Sequence, residues 1–408
     1  MARLSDLIRQ GKMPEKEGAL TQGNTDQIRI RELAELKTKK DAVGFEEVNF
    51  PSESRIPKEV RKTGVGLDDF PFPSETKTVP SEKGFTDELE KPARETAAVP
   101  KEKATVRTTE EQKTFVTLYR DLYEFLNEIF TDVKANQKFS LEKGMELIAG
   151  VLDLPKAIED LHREAIYKKD FQYDATVHSI NVMIFAIKIG NGLGYVREQL
   201  AELGLAALLH DIGVCKIPNE IVKKEGALTN EEYALIKKHP QLGYDIIVNV
   251  LDKKYQWLAD VVFQEHEREG GQGYPRGITG KEIHEYAKIV GIADVYEALS
   301  HPRPQRKRFL PYEAAKVIVN SSKNAFAPRM IKMLITKLSC FPIGSYVVLN
   351  SKAIGRVVET NEGSPLRPAI EMLYEAMGKR LPVPKLVKLQ DTPLLYIVDS
   401  IFEEDLPK

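Results

Sequence analysis

Histidines stand at positions 162, 178, 210, 239, 266, 284 and 301 of the chain, and four of them recur with aspartates at even spacing. From His178 to His210 is 32 residues, from Asp211 to His239 is 28, from His239 to His266 is 27, and from His266 to Asp294 is 28. Imidazole and carboxylate without thiolate suit first-row cations such as Fe, Mn, Ni or Zn. The adjacent pair His210-Asp211 is the key unit, because a carboxylate beside a ligating imidazole can bridge two cations. Two bridged cations about 3.5–4 Å apart are what two-metal phosphoester hydrolysis uses. Any one of these residues alone is a weak signal, since a single helical histidine is more often a packed or surface residue. The combination is what points to a metal centre.

Positioning them requires helices. Phe115, Leu118, Tyr119, Leu122, Phe125, Leu126, Ile129 and Phe130 recur at steps of three and four, the apolar face of a long helix that begins near Thr109. The pattern stays helical to about Leu338, with short punctuation such as Gly190-Asn191-Gly192 and Pro240. Thr229 and Glu232 form a capping box ahead of Tyr233, Leu235 and Ile236. Each ligand interval is about one helical hairpin, so consecutive hairpins of a bundle can aim all the ligands at one centre. After Cys340 the character changes: GSYVVLN, AIGRVVET, PAIEML and LLYIVDSI are short β-prone runs bounded by Gly, Asn or Pro. Between Gly11 and Lys103 charged and small residues and recurrent prolines dominate, which buries too little apolar surface to offset ordering entropy. The expected class is mainly α: a helical bundle with a disordered N-terminal tail and a small β-rich C-terminal module. The boundaries are 1–105 for the tail, 106–170 for an N-terminal helical region, 171–338 for the catalytic region and 339–408 for the β-rich module. Within the tail, Asp26–Lys37 has the pattern of a short helix formed on meeting a protein partner.

Four segments in order, LLHDIG (208–213), GALTNEEYALIKKHPQLG (226–243), EHEREGGQGYP (265–275) and KIVGIADVYEALSHPRPQR (288–306), carry a resemblance to the HD-GYP domain. This is the branch of the HD metal-dependent phosphohydrolases that hydrolyses the bacterial second messenger cyclic di-GMP. The resemblance covers about residues 170–330, and the stretch Phe341–Ile401 is similar to the small β-rich appendage that often follows such domains. It implies an HD-type bundle holding two or three divalent metal ions, Fe, Mn or another first-row metal. The implied reaction is attack by a metal-bound hydroxide on cyclic di-GMP, with His210 and Asp211 at the catalytic centre and pGpG or GMP as product. By the same resemblance His178, His210, Asp211 and Asp294 match first-metal ligands, His239 and His266 complete a second site, and Asp211 bridges. Gly273, Tyr274 and Pro275 match the substrate-contacting GYP element, with Tyr274 set to stack on or hydrogen-bond to a guanine. Arg303 and Arg306 match residues that hold substrate phosphates, for which planar guanidinium donors are suited; the bland reading is a solvated basic turn.

This chain departs from the family pattern at several places. Glu265 stands where the first of two adjacent histidines is usual; it is either a carboxylate ligand or a solvent-facing residue. Asp174, one turn before His178, occupies the place of a third-metal ligand, and a helix N-cap is the equal alternative. Gly270 replaces an aspartate and Gln305 a tyrosine. Val214 stands where a lysine would reach the substrate, and Lys216 substitutes for it only if the following loop takes another path. Cys215 beside it reads as a packing residue. These departures motivate a second reading, a degenerate domain that serves as a cyclic dinucleotide receptor or protein-interaction module without turnover.

Composition narrows the rest. In 408 residues, 59 Lys+Arg balance 61 Asp+Glu to a net charge of −2, which gives no basic field for a nucleic-acid polymer. Two cysteines, Cys215 and Cys340, exclude a disulfide scaffold and a cysteine-rich zinc module. The apolar runs fall short of a bilayer span and the first residues lack a signal-peptide core, so the expectation is a cytoplasmic protein with no membrane partner. The expected partner is cyclic di-GMP, and a homodimer is compatible with the sequence.

Overall fold

The computed structural model describes residues 109–154, 157–167, 174–224, 228–301, 308–321 and 325–407. The expected tail (1–105), its Asp26–Lys37 helix, and Arg303, Gln305 and Arg306 lie outside the described residues.

The described chain is mainly helical, with one small sheet near its C-terminal end. The helices are α1 (Thr109–Lys134), α2 (Glu142–Asp153), α3 (Ala157–Tyr167), α4 (Ala175–Gly192), α5 (Arg197–Leu209), the short α6 (Asn219–Val222), α7 (Asn230–Ile236), α8 (His239–Val250), α9 (Gln256–Gln264), α10 (Glu285–Ser300), α11 (Pro311–Ser321) and α12 (Pro328–Leu338). A 3-10 turn, Ile212–Lys216, follows α5. The sheet has strands β1 (Tyr346–Leu349), β2 (Ile354–Glu359), β3 (Ala369–Tyr374), β4 (Arg380–Lys388) and β5 (Ile397–Ile401), in the antiparallel order β4-β3-β2-β1-β5.

Helix α4 is the axis of the bundle. It packs against α1, α3, α5, α10 and α12, and from Thr176 to Gly190 every residue is buried. A helix buried on all sides belongs inside a domain rather than on its surface. Helix α10 is of the same kind, buried from Ile289 to Ser300. Phe185 of α4 meets Tyr296 of α10 edge to face, with ring centroids 5.2 Å apart, and both side chains are fully buried. Truncating a ring in such a contact, as in Phe185→Ala, typically costs about 3–5 kcal/mol. Thr229 caps α7 as its sequence indicates: its hydroxyl accepts from the backbone N–H of Glu232, whose carboxylate accepts from Thr229 N–H at 2.7 Å.

The sheet has its own apolar cluster, joined to the bundle where Phe341 stacks on Tyr312 of α11 at 4.8 Å. Strand β4 is absent from the sequence-based set of strands, and its run contains Pro382 and Pro384. The structure places it at the sheet edge, where prolines are tolerated, and its register with β3 shifts between Met372 and Tyr374.

Candidate metal centre

The helix ends carry the chemistry. His178 lies in the first turn of α4, His210 caps α5, Asp211 opens the 3-10 turn, His239 opens α8, Glu265 caps α9 with His266 after it, and Asp294 sits mid-way along α10. All seven are buried. Their ligand atoms form two groups: His178, His210 and Asp294 in one, and Asp211, His239, Glu265 and His266 in the other, each with atoms within 4.8 Å of one another. Asp211 joins them. Its Oδ2 lies 3.6 Å from His178 Nε2 and 3.5 Å from His210 Nε2, while its Oδ1 lies 3.4 Å from His239 Nε2.

The tautomers follow from the outer hydrogen bonds. His210 Nδ1 donates to Ala207 O and His239 Nδ1 to Ile236 O, each at 2.8 Å, and His178 Nδ1 donates to Glu297 Oε2 at 2.6 Å. In a neutral ring with Nδ1 as donor, Nε2 presents a lone pair. Three such nitrogens therefore face carboxylate oxygens: His178 Nε2 is 3.2 Å from Asp294 Oδ1, and His239 Nε2 is 3.4 Å from Glu265 Oε1. Among the described residues, neither His210 Nε2 nor Glu265 Oε2 makes a hydrogen bond. Lone pairs converging on lone pairs in a buried space are unfavourable unless cations lie between them, so the donor set fits a pair of divalent ions.

Glu265 points into this space. His266 Nε2 approaches its Oε1 at 2.7 Å and lies 3.0 Å from His239 Nε2. Burial raises the Glu265 carboxyl, but the charge of His266 and the hydrogen bond from it outweigh burial and hold the group well below the usual carboxylate range.

Close backbone approach fixes the spacing of the two groups. A Cβ on Gly213 would fall 2.0 Å from the carbonyl oxygen of His239, so the turn after Asp211 lies directly against the start of α8. A Cβ on Gly273 would fall 2.4 Å from His266 O. Next to it Tyr274 stacks its ring on His266 at 4.5 Å, and Lys237 Nζ lies 5.0 Å from the centre of that ring. Tyr274 thus packs on an imidazole of the centre itself. The Tyr274–Pro275 peptide bond is cis. Glu267 fastens the following segment, accepting the backbone N–H groups of Arg276, Gly277 and Ile278 at 2.8, 3.1 and 3.1 Å. Gly270 is paired in a bridge with Thr279, so the loop is closed without an aspartate there.

Two expected site residues belong elsewhere. Asp174 caps α4: its Oδ1 accepts from Thr176 N–H at 2.8 Å and its Oδ2 from Tyr123 OH at 2.7 Å, so both oxygens are taken by α4 and α1 rather than turned to the centre. Lys216 turns its ammonium onto the end of α1, donating to Val133 O at 2.5 Å and Asn136 Oδ1 at 2.6 Å. The 3-10 turn directs it there, and Lys216 does not take the place of the lysine missing at Val214. Burial pushes the Cys215 thiol up to about 11, the behaviour of a packing residue.

Glu297 was not among the expected residues. It accepts from His178 through one oxygen and from Asn181 Nδ2 at 3.2 Å through the other. Its place one turn after Asp294 was the available signal, because a ligating imidazole usually donates its other N–H to a carboxylate or carbonyl.

Residues 154–330 match the family described as HD domain, and residues 346–408 match the KOW domain associated with HD domain. The HD match spans the helices that carry the candidate metal ligands. Similar proteins include a cyclic di-GMP phosphodiesterase of Pseudomonas aeruginosa, 30% identical over 263 residues (64% of this chain, 62% of that protein). A cyclic di-GMP phosphodiesterase of Borreliella burgdorferi is 30% identical over 199 residues (49% and 52%). A 3'3'-cGAMP-specific phosphodiesterase of Vibrio cholerae is 32% identical over 170 residues (41% and 36%). The chain spans less than two thirds of the length of each. Among the described residues, no helix is long and apolar enough to cross a membrane.

Proposed function

We propose that the HD domain hydrolyses a phosphodiester bond of a cyclic dinucleotide, cyclic di-GMP in the first place, giving pGpG or GMP. The observation that carries this reading is the bifacial Asp211, with one oxygen toward His178 and His210 and the other toward His239. His178, His210 and Asp294 would hold one divalent ion, Fe, Mn or another first-row metal; His239, Glu265 and His266 would hold the second, and Asp211 would serve both. Such a pair supplies Lewis acidity toward phosphoryl oxygens and lowers the pKa of water. The three carboxylates Asp211, Glu265 and Asp294 offset most of the charge of two divalent ions. Burial of the donor set keeps competing solvent out and strengthens its field. Glu297 fixes the His178 ring, while Gly273, Tyr274 and Pro275 form the lip on which a guanine would rest. Arg303 and Arg306 are assigned to the phosphates.

The test is product analysis. Protein loaded with Mn²⁺ or reduced iron is expected to convert cyclic di-GMP to pGpG or GMP, and His210→Ala and Asp211→Ala to abolish this. Running 3'3'-cGAMP alongside decides between the substrates named for the relatives. Val214 and the turned-away Lys216 favour a second reading, a receptor. Tight binding of the dinucleotide to metal-loaded protein without any product would establish that reading and reject the enzyme.

A further inference from the structure

A cavity of about 360 Å³ lies between the N-terminal half of α5 and the starts of α9 and α10. Glu202 precedes His210 by two turns of α5, so the cavity lies about 12 Å from the metal ligands along the helix axis. Three aromatic side chains wall it. Trp257 meets Tyr286 at 85° with centroids 6.1 Å apart, and Tyr195 meets Tyr286 at 55° and 5.7 Å. Trp257 stands near-perpendicular to Tyr286 and Tyr195 is tilted against it, an arrangement that suits a compact ligand better than a stacked base.

The polar groups of the cavity are anionic or neutral. Glu285 is ion-paired with Arg329. Burial holds His284 below its usual range, and its Nδ1 accepts from the backbone N–H of Tyr286, so the ring is neutral near pH 7. Glu202 is half-buried and accepts from Tyr286 OH at 3.0 Å. Among the described residues it has no ion-pair partner. Glu202 thus sets a half-buried carboxylate beside the aromatic walls. One unpaired carboxylate is too few oxygens for a calcium or magnesium site, which needs several. Ring faces attract organic cations within about 6 Å of their centroids.

We propose that this cavity is a binding site for a small organic ammonium ion, held by Glu202 and the faces of Tyr195, Trp257 and Tyr286. The site is separate from the metal centre and independent of the reaction proposed there.

Trp257 is the one tryptophan of the chain, so its emission reports on the cavity directly. The protein is titrated with tetramethylammonium chloride, against sodium chloride at equal ionic strength. A saturable change in Trp257 emission with the ammonium salt alone is expected, and Glu202→Gln should weaken it about tenfold or remove it. Equal, non-saturating changes with both salts, or unchanged affinity in Glu202→Gln, would overturn the proposal. Should Glu202→Gln fail to fold, saturation transfer from the unmodified protein to the ammonium methyl protons decides: transfer lost on competition with choline supports the site, and its absence rejects it.

Discussion

Nδ1 of His178 donates to Oε2 of Glu297 at 2.6 Å, across the contact between α4 and α10. This bond orients the imidazole and raises its basicity toward a cation. Removing such a partner typically costs about 10–100-fold in metal affinity. Glu297→Gln keeps the shape and loses the charge, so about a tenfold loss is expected in competition with a chelator of known affinity. Unchanged affinity would show that the ring is held by packing alone.

Asp211 is shared, so its loss should be felt in both groups. In Asp211→Asn, bound metal measured by elemental analysis should drop at both positions together, and turnover should vanish with it. A protein that keeps one full equivalent would mean the carboxylate serves a single ion.

Glu265 offers a carboxylate where imidazole is usual in the similar family. Either donor type binds a first-row ion. Glu265→Ala should therefore lower metal content, and Glu265→His should restore it. Equal metal content in all three proteins would remove Glu265 from the ligand set.

Lys216 ties the turn after Asp211 to the end of α1. Hydrogen bonds to charged groups contribute about 1.5–3 kcal/mol, less at this partly exposed site. Lys216→Ala should lower the denaturant midpoint while leaving KM for the dinucleotide unchanged. A raised KM with unaltered stability would return Lys216 to the substrate.

His162 is buried against Phe185, and burial, reinforced by the charge of Lys188, holds its pKa well below the ordinary value. The unfolded chain takes up a proton near pH 6.5 that the folded chain refuses. Stability from this group is thus present above about pH 6.5 and is lost as pH falls below it, by at most about 1.4 kcal/mol per pH unit. Denaturant midpoints compared at pH 7.5 and 5.5 should fall less in His162→Leu than in the parent. Equal slopes would exclude His162 as the source.

The sequence carried the centre further than its surroundings. His178, His210, Asp211, His239, His266 and Asp294 could be picked out because ligand chemistry restricts residue type and hairpin length restricts spacing. Asp174 shows the limit: one turn before a ligating histidine, a carboxylate serves equally as ligand or helix cap, and only the positions of Thr176 N–H and Tyr123 OH separate the two. Lys216 was ambiguous for a similar reason, since its direction depends on how the 3-10 turn runs and on where α1 ends. Glu297 acts through His178, distant in sequence, with only its place one turn after Asp294 as a signal, and Glu267 acts on backbone N–H groups that no local pattern announces. Strand β4 was missed, and its prolines are tolerable only at the sheet edge.

The contact between Gly213 and the His239 carbonyl makes main chain, rather than ligand reach, the gauge of the distance between the two half-sites. Individual donors can then be exchanged, histidine for glutamate at 265 for example, without altering the gap that a bridging carboxylate must span. A side chain at 213 would act as a wedge, prising apart two half-sites that each still held a full set of ligands.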